Sequence, residues 1–145
     1  MNPKPKPTRA TRSRIKVKAV EPKKRKPTRK ALEKTLWKLT ADFVKKRDGP
    51  CVTCGATEGL TISHWIKAGK QRVRYDTRNC NCQCSACNNA HNYYTYHYDN
   101  YMLRTYPREV LLELTELAKA NKWKWKYHEL ESMIVEMQAN LDSLS

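Results

Sequence analysis

The sequence predicts a small α+β domain that is clasped by one zinc ion and preceded by a basic tail. Two CxxC pairs, Cys51 with Cys54 and Cys84 with Cys87, are separated by 29 residues. Apolar residues recur at helical spacing on either side of these pairs, whereas residues 60–65 between them alternate as a short strand does. The chain has 145 residues, which suffices for one compact domain and a tail.

The basic residues are concentrated at the N-terminus. The whole chain carries 29 Lys and Arg against 14 Asp and Glu, a formal net charge of +15. Residues 1–30 hold thirteen basic residues, one acidic residue and five of the seven prolines, whereas residues 31–145 carry a net charge of only +3. This composition predicts a disordered tail that binds polyanions, of which nucleic acid is the commonest. The alternative is a tail that only confers solubility.

No stretch of the sequence has the apolar length of a membrane span, which needs about 18 consecutive apolar residues. Residues 1–7 are rich in proline and lysine and lack the apolar core of a secretory signal. We therefore expect no membrane partner and a cytoplasmic location. In that compartment six clustered cysteines favour metal binding over disulfides.

Apolar spacing and turn residues predict further elements on both sides of the cysteines. A helix is expected at 28–47, where the apolar residues are mostly three or four apart: Leu32, Leu36, Leu39, Phe43 and Val44. The other predicted elements are a second strand at 72–75 and helices at 88–98, from Pro107 onward and at 127–141. The last two helices are expected to form a C-terminal hairpin over 107–145, or to pair with a second copy in a homodimer. The predicted organisation is a tail at 1–30, a core at 31–106 and this hairpin.

The cysteine spacing predicts one structural zinc site. Each CxxC pair forms a knuckle that offers two thiolates to a tetrahedral ion, so the predicted ligands are Cys51, Cys54, Cys84 and Cys87. Cys80 and Cys82 are competing candidates because they alternate with Cys84 along the chain. Only Cys84 has the two-residue spacing to Cys87, which favours packed thiols at the other two positions.

A series of short motifs extends from about Leu36 to Pro107. In order they are Lys46-Arg47-Asp48-Gly49, Cys51-Val52-Thr53-Cys54-Gly55, Ile62-Ser63-His64-Trp65, Arg74-Tyr75-Asp76, Asn79 and Gln83-Cys84-Ser85-Ala86-Cys87-Asn88. Their order and spacing resemble the HNH, or ββα-metal, nucleases. Within that group the chain resembles the NinG (Rap) family of phage recombination proteins, and more distantly recombination endonuclease VII, which also has a four-cysteine zinc. The resemblance implies a zinc-stapled HNH-like core with flanking helices.

The resemblance also implies three catalytic residues, His64, Asn79 and Asn88. A neutral imidazole at His64 would take a proton from the attacking water. Asn79 would brace the loop that aims His64, and the amide oxygen of Asn88 would bind Mg²⁺ or Mn²⁺ at the same phosphate. The alternatives are an ordinary structural hydrogen bond for His64 and a turn residue for Asn79.

Ser63 departs from the endonuclease VII pattern, where an aspartate before the histidine helps to bind the metal. The expected catalytic metal ion would therefore need other protein ligands. Asn92 and His91 lie one helical turn beyond Asn88 and are the next candidates, with Asp76 as a substitute carboxylate. For His91 the alternative is a purely structural role.

Five basic residues surround the loop that follows His64. They are expected to contact the phosphate backbone, and they are Lys67, Lys70, Arg72, Arg74 and Arg78. The tyrosine-rich run at 92–98 predicts either a nucleic-acid surface or the core of an amphipathic helix. Residues 122–126 alternate lysine with tryptophan at a break between two predicted helices.

The combined hypothesis is a DNA endonuclease that cuts branched recombination intermediates such as Holliday junctions by phosphodiester hydrolysis. It would use structural Zn²⁺ and catalytic Mg²⁺ or Mn²⁺, and it would act in the host cytoplasm if the chain is encoded by a phage. One alternative is a non-catalytic zinc module that binds DNA structure, which Ser63 favours. The other is a zinc-ribbon RNA-binding protein, which the basic tail suits equally well.

Overall fold

The structure, a computed structural model, describes residues 20–145, and its first regular element is the helix α1, Arg29–Asp48. Thr28 begins it by accepting a hydrogen bond on Oγ1 from the backbone N–H of Ala31 at 3.1 Å. Gly49 ends it with a φ of 71°, a conformation that a side chain would disfavour. The helix predicted at 28–47 is therefore confirmed. Of the predicted tail, residues 1–19 lie outside the described residues, and residues 20–28 are exposed and form neither helix nor strand.

The centre of the fold is an antiparallel hairpin of β1, Leu60–His64, and β2, Cys80–Cys84. Its register pairs Leu60 with Cys84 at one end and His64 with Cys80 at the other. The strand expected at 60–65 is confirmed. The second strand was expected at 72–75, and that expectation is wrong: Gln71–Val73 is a single 3₁₀ turn, which we call η1. All five residues of β2 are buried, so a strand with no β-branched residue is held by packing on both faces.

The two faces of the hairpin are covered by different helices. Directly paired residues share a face, so His64, Ile62, Cys80 and Cys82 all point to the side of α1, where Val44 completes a buried cluster. The opposite face presents the polar side chains of Ser63, Asn81 and Gln83, all of which are buried. The hairpin thus has an apolar and thiol-rich face against α1 and an amide-rich face on the other side.

The end of α1 is fastened to β2 by charged side chains. The Arg47 guanidinium donates to the carbonyl oxygens of Thr77 and Cys80 at 2.7 and 2.9 Å, and it also pairs with Asp48. The Asp48 carboxylate accepts from the backbone N–H of Cys82 at 2.8 Å. Arg47 and Asp48, which are adjacent in the sequence, therefore fix the angle at which α1 meets the hairpin.

Two helices replace the single helix that was expected at 88–98. α2 is Ser85–Ala90 and α3 is Tyr96–Thr105. α2 begins earlier than expected because Cys84 caps it, its sulfur accepting from the N–H of Cys87. The chain then turns, with the N–H groups of Tyr93 and Tyr94 both bonded to the Ala90 carbonyl, so the helical pattern is interrupted before α3.

The last two helices do not form the expected C-terminal hairpin. α4, Arg108–Ala118, packs with α3 on Val73 of η1, whereas α5, Tyr127–Ser143, packs along α1. The apolar side of α5 covers that of α1 in a cluster that contains Leu32, Leu36, Leu130 and Met137. The alternating segment at 122–126 carries the chain from one helix layer to the other, and this separates α5 from α4. Pairing of α5 with a second copy stays a prediction.

The described residues form a mixed α+β fold with one two-stranded antiparallel sheet. None of its helices has the length and apolar character that a membrane crossing requires.

Candidate metal centre and catalytic site

Four cysteines meet at the end of the hairpin where Leu60 pairs with Cys84. The sulfurs of Cys51, Cys54, Cys84 and Cys87 all lie within 4.8 Å of one another. Thiolates that bind one tetrahedral zinc ion at about 2.3 Å must lie roughly 3.8 Å apart. The distance between the sulfurs of Cys54 and Cys84 is 3.7 Å. The predicted ligand set is therefore assembled with the spacing that a structural zinc ion needs.

Local backbone geometry forms the two knuckles. Gly55 adopts a φ of 78° and its N–H donates to the Cys51 carbonyl at 2.8 Å, which folds the first knuckle back on itself. In the second knuckle, Cys84 is both the last residue of β2 and the cap of α2. A zinc ion bound by the four cysteines would therefore tie the loop after α1 to the strand–helix junction.

The thiols of this cluster affect one another's ionisation. Burial raises the pKa of Cys51, but hydrogen bonds from backbone N–H groups outweigh it and lower that pKa to about 6. Burial is the largest cause of the raised pKa of Cys87, and its hydrogen bonds with the neighbouring thiols add to it. One thiolate therefore forms readily, and a divalent cation is needed to hold four negative sulfurs together.

Cys80 and Cys82 stand outside this set and act as packed thiols, as the sequence spacing favours. Both have no exposed surface, and they pack with Val44 and Ile62 beneath α1. The Cys80 sulfur donates to the Arg74 carbonyl at 3.3 Å, and burial strongly raises its pKa. These thiols remain protonated and contribute to the core.

His64 lies at the other end of the hairpin, opposite Cys80. Its Nε2–H donates to the Arg74 carbonyl at 2.9 Å, and its ring stacks on Trp37 of α1 with centroids 5.1 Å apart. With Nε2 protonated, Nδ1 carries the lone pair. Burial lowers the pKa of His64 from its usual 6.5, the Arg74 hydrogen bond opposes that shift, and the Arg74 charge adds to it. The imidazole is therefore neutral at pH 7 and oriented by two contacts.

Asn79 holds the loop that joins His64 to β2. Its amide oxygen accepts from the Ile66 N–H at 2.7 Å, and its amide nitrogen donates to the carbonyls of Ile66 and Val73 at 3.0 and 3.1 Å. The side chain has no exposed surface. Three hydrogen bonds from one buried amide fix the segment that presents the Arg74 carbonyl to His64.

Asn88 lies on α2, directly after the last of the four cysteines. It is half-buried, and its side chain makes no hydrogen bond within residues 20–145. His64 stacks on Trp37 of α1, whereas the α2 residues Cys87 and Ala90 line a small cavity against Gln83 of the amide-rich face. That His64 and Asn88 meet at one phosphate stays a prediction.

His91 reaches the strand end from the α2 side. Its Nε2–H donates to the Trp65 carbonyl at 3.0 Å, one residue beyond His64, and its ring packs edge-on against Tyr98. Its Nδ1 is buried and has no hydrogen-bond partner, and the same is true of Gln83 Oε1. Both residues line a cavity of about 30 Å³, which is large enough for a water molecule or a small ion. A histidine that ligates a metal commonly donates its other ring N–H to a carbonyl in this way. Asn92 is exposed and makes no side-chain contact of this kind.

No second cluster of three or more acidic, histidine or cysteine side chains occurs between residues 20 and 145. Asp76, the substitute carboxylate, is bound by the Arg78 guanidinium at 2.7 Å. Arg78 also pairs with Glu113 of α4 at 2.8 Å, and these partners raise its pKa. Arg78 thus joins the loop to α4, and this pairing competes with its expected contact to phosphate.

The other four basic residues of the loop are arranged in two ways. Lys67 is exposed, and Lys70 donates to the side chain of Asn121 at 2.7 Å. The Arg72 guanidinium lies 4.4 Å from the Trp123 ring centroid, and Arg74 lies against the Tyr75 ring. Two of these residues are thus exposed or bound to a polar side chain, and two lie against aromatic rings.

The tyrosine-rich run is buried in one part and exposed in another, and its role as a nucleic-acid surface stays a prediction. Tyr98 is 1% exposed, and its hydroxyl donates to the Ser63 carbonyl and accepts from Asn81. Tyr93 and Tyr94 are 75% and 68% exposed. Sequence reasoning missed the two groups that position His64, which are the ring of Trp37 and the carbonyl of Arg74. The position of Trp37 directly after Leu36, at the edge of the apolar stripe, is the only sequence signal for the first, and a backbone carbonyl leaves none.

Comparison with known families identifies the family to which this chain belongs. The family model NinG, described as Bacteriophage Lambda NinG protein, matches residues 3–145. Comparisons with curated proteins and with solved structures found no match. Since the family model covers nearly the whole sequence, including both cysteine pairs and His64, the chain belongs to the NinG family of phage proteins.

Proposed function

We propose that this protein is a metal-dependent DNA endonuclease with an HNH-like core that acts on branched recombination intermediates such as Holliday junctions. The observation that carries the proposal is the state of His64: a neutral imidazole with one nitrogen fixed by a backbone carbonyl and the other holding a lone pair. That is the form a general base needs. Membership of a phage family related to recombination supports DNA as the substrate.

In this proposal Nδ1 of His64 accepts one proton from a water molecule. The water oxygen then forms a bond to phosphorus, and the bond from phosphorus to the leaving sugar oxygen breaks. The leaving oxygen takes up a proton from solvent and His64 releases its proton to solvent, so one water is consumed and the products are a free hydroxyl on one strand end and a phosphate on the other. The carbonyl of Arg74 stabilises the imidazolium that forms, because it accepts the Nε2–H throughout.

A divalent ion such as Mg²⁺ or Mn²⁺ would supply charge stabilisation on the phosphate and on the leaving oxygen. Mg²⁺ sites often use only one or two protein ligands and complete their shell with water and substrate phosphate. The candidate protein ligands are His91, whose buried Nδ1 has no hydrogen-bond partner, Asn88 of α2, and Asn92 in the turn that follows α2.

The charge distribution supports a nucleic-acid substrate. Lys67, Lys70, Arg72 and Arg74 lie on the loop next to His64, and the first 30 residues carry twelve of the fifteen net positive charges. A protein of this kind gains affinity by releasing counterions from phosphates, so its binding weakens as salt increases. The loop would contact the phosphates near the scissile bond, and the tail would contact more distant ones.

The test is cleavage of a synthetic four-way junction and of a linear duplex of the same length, with Mg²⁺ or Mn²⁺, by the zinc-loaded full chain and by His64→Ala. We expect cleavage of the junction in preference to the duplex. Loss of a general base lowers rates by about 10² to 10⁴-fold, so His64→Ala should lose cleavage to that extent and keep junction binding. Matched zinc content and melting temperature of the two proteins serve as the control for folding.

A second candidate is a zinc protein that binds branched DNA without cutting it. Two observations favour it: residues 20–145 contain no second preformed metal cluster, and Ser63 offers no carboxylate next to His64. Tight junction binding with no cleavage in either metal would support this candidate and overturn the endonuclease. Preference for structured RNA over the junction would overturn both.

A further inference from the structure

A second surface next to His64 has the chemistry of a nucleic-acid binding site. It is an open groove of about 840 Å³ between the start of α1, residues 71–75 and the segment 121–125 that precedes α5. We call it the tryptophan groove, because Trp37, Trp123 and Trp125 line it. Trp37 is shared with the candidate catalytic site, since its ring also stacks on His64.

The rim of the tryptophan groove is strongly basic. It contains one acidic residue, Glu33, which pairs with Arg29 at 3.2 Å. The basic residues of the rim are Arg29, Lys30, Lys34, Arg74, Lys122 and Lys124. The four lysines among them have no ion-pair partner in the part of the chain that the structure describes. A recess with this excess of positive charge selects an anionic ligand.

Two hydrogen-bond donors of the groove are buried and lack partners. They are the indole N–H of Trp123 and the Nε–H of Arg74. Buried polar groups are normally paired, so unpaired donors in a recess indicate acceptor atoms on a ligand. Phosphate oxygens and the edges of nucleic-acid bases both supply such acceptors.

The tryptophan rings are held in fixed orientations. The indole N–H of Trp125 donates to the Gln71 carbonyl at 2.9 Å. Trp123 packs edge-on against Trp125, with centroids 5.5 Å apart, and the Arg72 guanidinium lies over its ring at 4.4 Å. Rigid rings with neighbouring cations are the elements with which proteins bind unpaired bases, because every base has a face that stacks.

We propose that the tryptophan groove binds an unpaired stretch of DNA, as occurs at a branch point, and leads it to His64. In paired DNA the base faces are already stacked, so a duplex offers this groove only its phosphates. The alternation of Lys122, Trp123, Lys124 and Trp125 suits a single strand, in which phosphates and bases alternate in the same way. The assignment of DNA rather than RNA rests on the proposed function, whereas the binding itself does not depend on cleavage.

The experiment compares binding of a fluorescein-labelled twelve-nucleotide oligo(dT) and of a labelled twelve-base-pair duplex to the zinc-loaded full chain. Fluorescence anisotropy is measured without Mg²⁺ or Mn²⁺, so that no cleavage occurs. The N-terminal tail contacts phosphates of both probes, so the ratio of the two Kd values reports on the groove. Two groove variants are used, Trp123→Ala and the double variant Lys122→Ala with Lys124→Ala.

We expect Trp123→Ala to weaken oligo(dT) binding by about tenfold, the effect of losing one stacked base, and duplex binding by less than about twofold. The double lysine variant should weaken oligo(dT) binding and reduce the slope of log affinity against log salt by roughly 1.4, since each lost phosphate contact on a single strand removes about 0.7. The matched control removes two exposed positive charges outside the groove, Lys45→Ala with Arg104→Ala, and should leave the ratio of the two Kd values unchanged.

Melting temperature and zinc content of each variant show whether it is folded, and Trp123→Leu, which keeps an apolar side chain, replaces Trp123→Ala if that variant is unstable. Equal losses on both probes in the Trp123 variant, or no loss on oligo(dT) in either groove variant, would overturn the proposal. Tighter binding of oligo(U) than of oligo(dT) would overturn the assignment of DNA. A failure of junction cleavage alongside the expected groove results would contradict only the endonuclease, and intact cleavage with unaffected oligo(dT) binding would contradict only the groove.

Discussion

The two ends of the β1–β2 hairpin are held by different chemistry. Where Leu60 pairs with Cys84, four thiols lie close enough to share one ion. Where His64 pairs with Cys80, the connecting loop is held by the Asn79 amide and by backbone carbonyls. The first end is a four-thiol clasp that could hold one metal ion, whereas the second depends on hydrogen bonds between neutral groups.

Because of this difference, only the His64 end of the hairpin would keep unused lone pairs once the cysteines held a metal ion. At the clasp a tetrahedral ion uses every thiolate, so no ligand position remains for a substrate. At the other end His64 and His91 each use one ring nitrogen in a hydrogen bond to a carbonyl and keep the other for further contacts. A site that is to bind or deprotonate another molecule needs such unused lone pairs, and it needs a rigid neighbour to hold it in place.

The largest effect should come from breaking the clasp. Cys84→Ser removes a zinc ligand that also ends β2 and caps α2, so we expect loss of zinc and of cooperative unfolding. The matched control is Cys80→Ser, four residues earlier in β2 and on the same face of the strand. It should keep about one zinc per chain and lose only about 1–3 kcal/mol of stability through burial of a hydroxyl. Zinc content by atomic spectroscopy and thermal melting decide the comparison, and equal zinc loss in both variants would show that the ligand set is wrong.

A smaller effect is expected at the hydrogen-bonded end. Asn79→Ala leaves the N–H and carbonyl of Ile66 and the carbonyl of Val73 without their partner. Each buried group left unpaired costs about 1–3 kcal/mol, so the free energy of unfolding should fall by roughly 3 kcal/mol or more while zinc remains bound. Asn121→Ala, at an exposed amide that binds only Lys70, should change it by less than about 0.5 kcal/mol. Chemical denaturation of the zinc-loaded proteins measures both changes in the free energy of unfolding. Similar changes for the two variants would contradict a bracing role for Asn79.

The clasp could be predicted from the sequence because its information is local. Two residues between the cysteines of each pair fix the knuckle, and only Cys84 among the three alternating cysteines has that spacing to Cys87. The α1 stripe and the first strand were predictable for a similar reason, since their apolar periodicity survives in the fold. Family membership was also recognisable from the order of short motifs, as the match over residues 3–145 confirms.

The rest depends on contacts between distant parts of the chain. β2 contains Cys, Asn and Gln rather than β-branched residues, and only burial between α1 and α3 makes it a strand. The partner of α5 could not be read from its own stripe, because α1 and α4 both offer an apolar face. The environment of His64 involves a tryptophan 27 positions earlier and a backbone carbonyl, and no spacing rule indicates such a combination.

The pH dependence of single-turnover junction cleavage tests the central claim most directly, which is that His64 acts as a neutral base. At a pH below its pKa a histidine is protonated and cannot accept another proton. The cleavage rate must therefore fall as the pH falls through that pKa. Because burial lowers the pKa of His64 from 6.5, we expect a constant rate at neutral pH and an acid limb with its midpoint below 6.5. The residual cleavage activity of His64→Ala should not show this fall in rate at acid pH. A midpoint above 6.5, or the same limb in the variant, would contradict this role for His64.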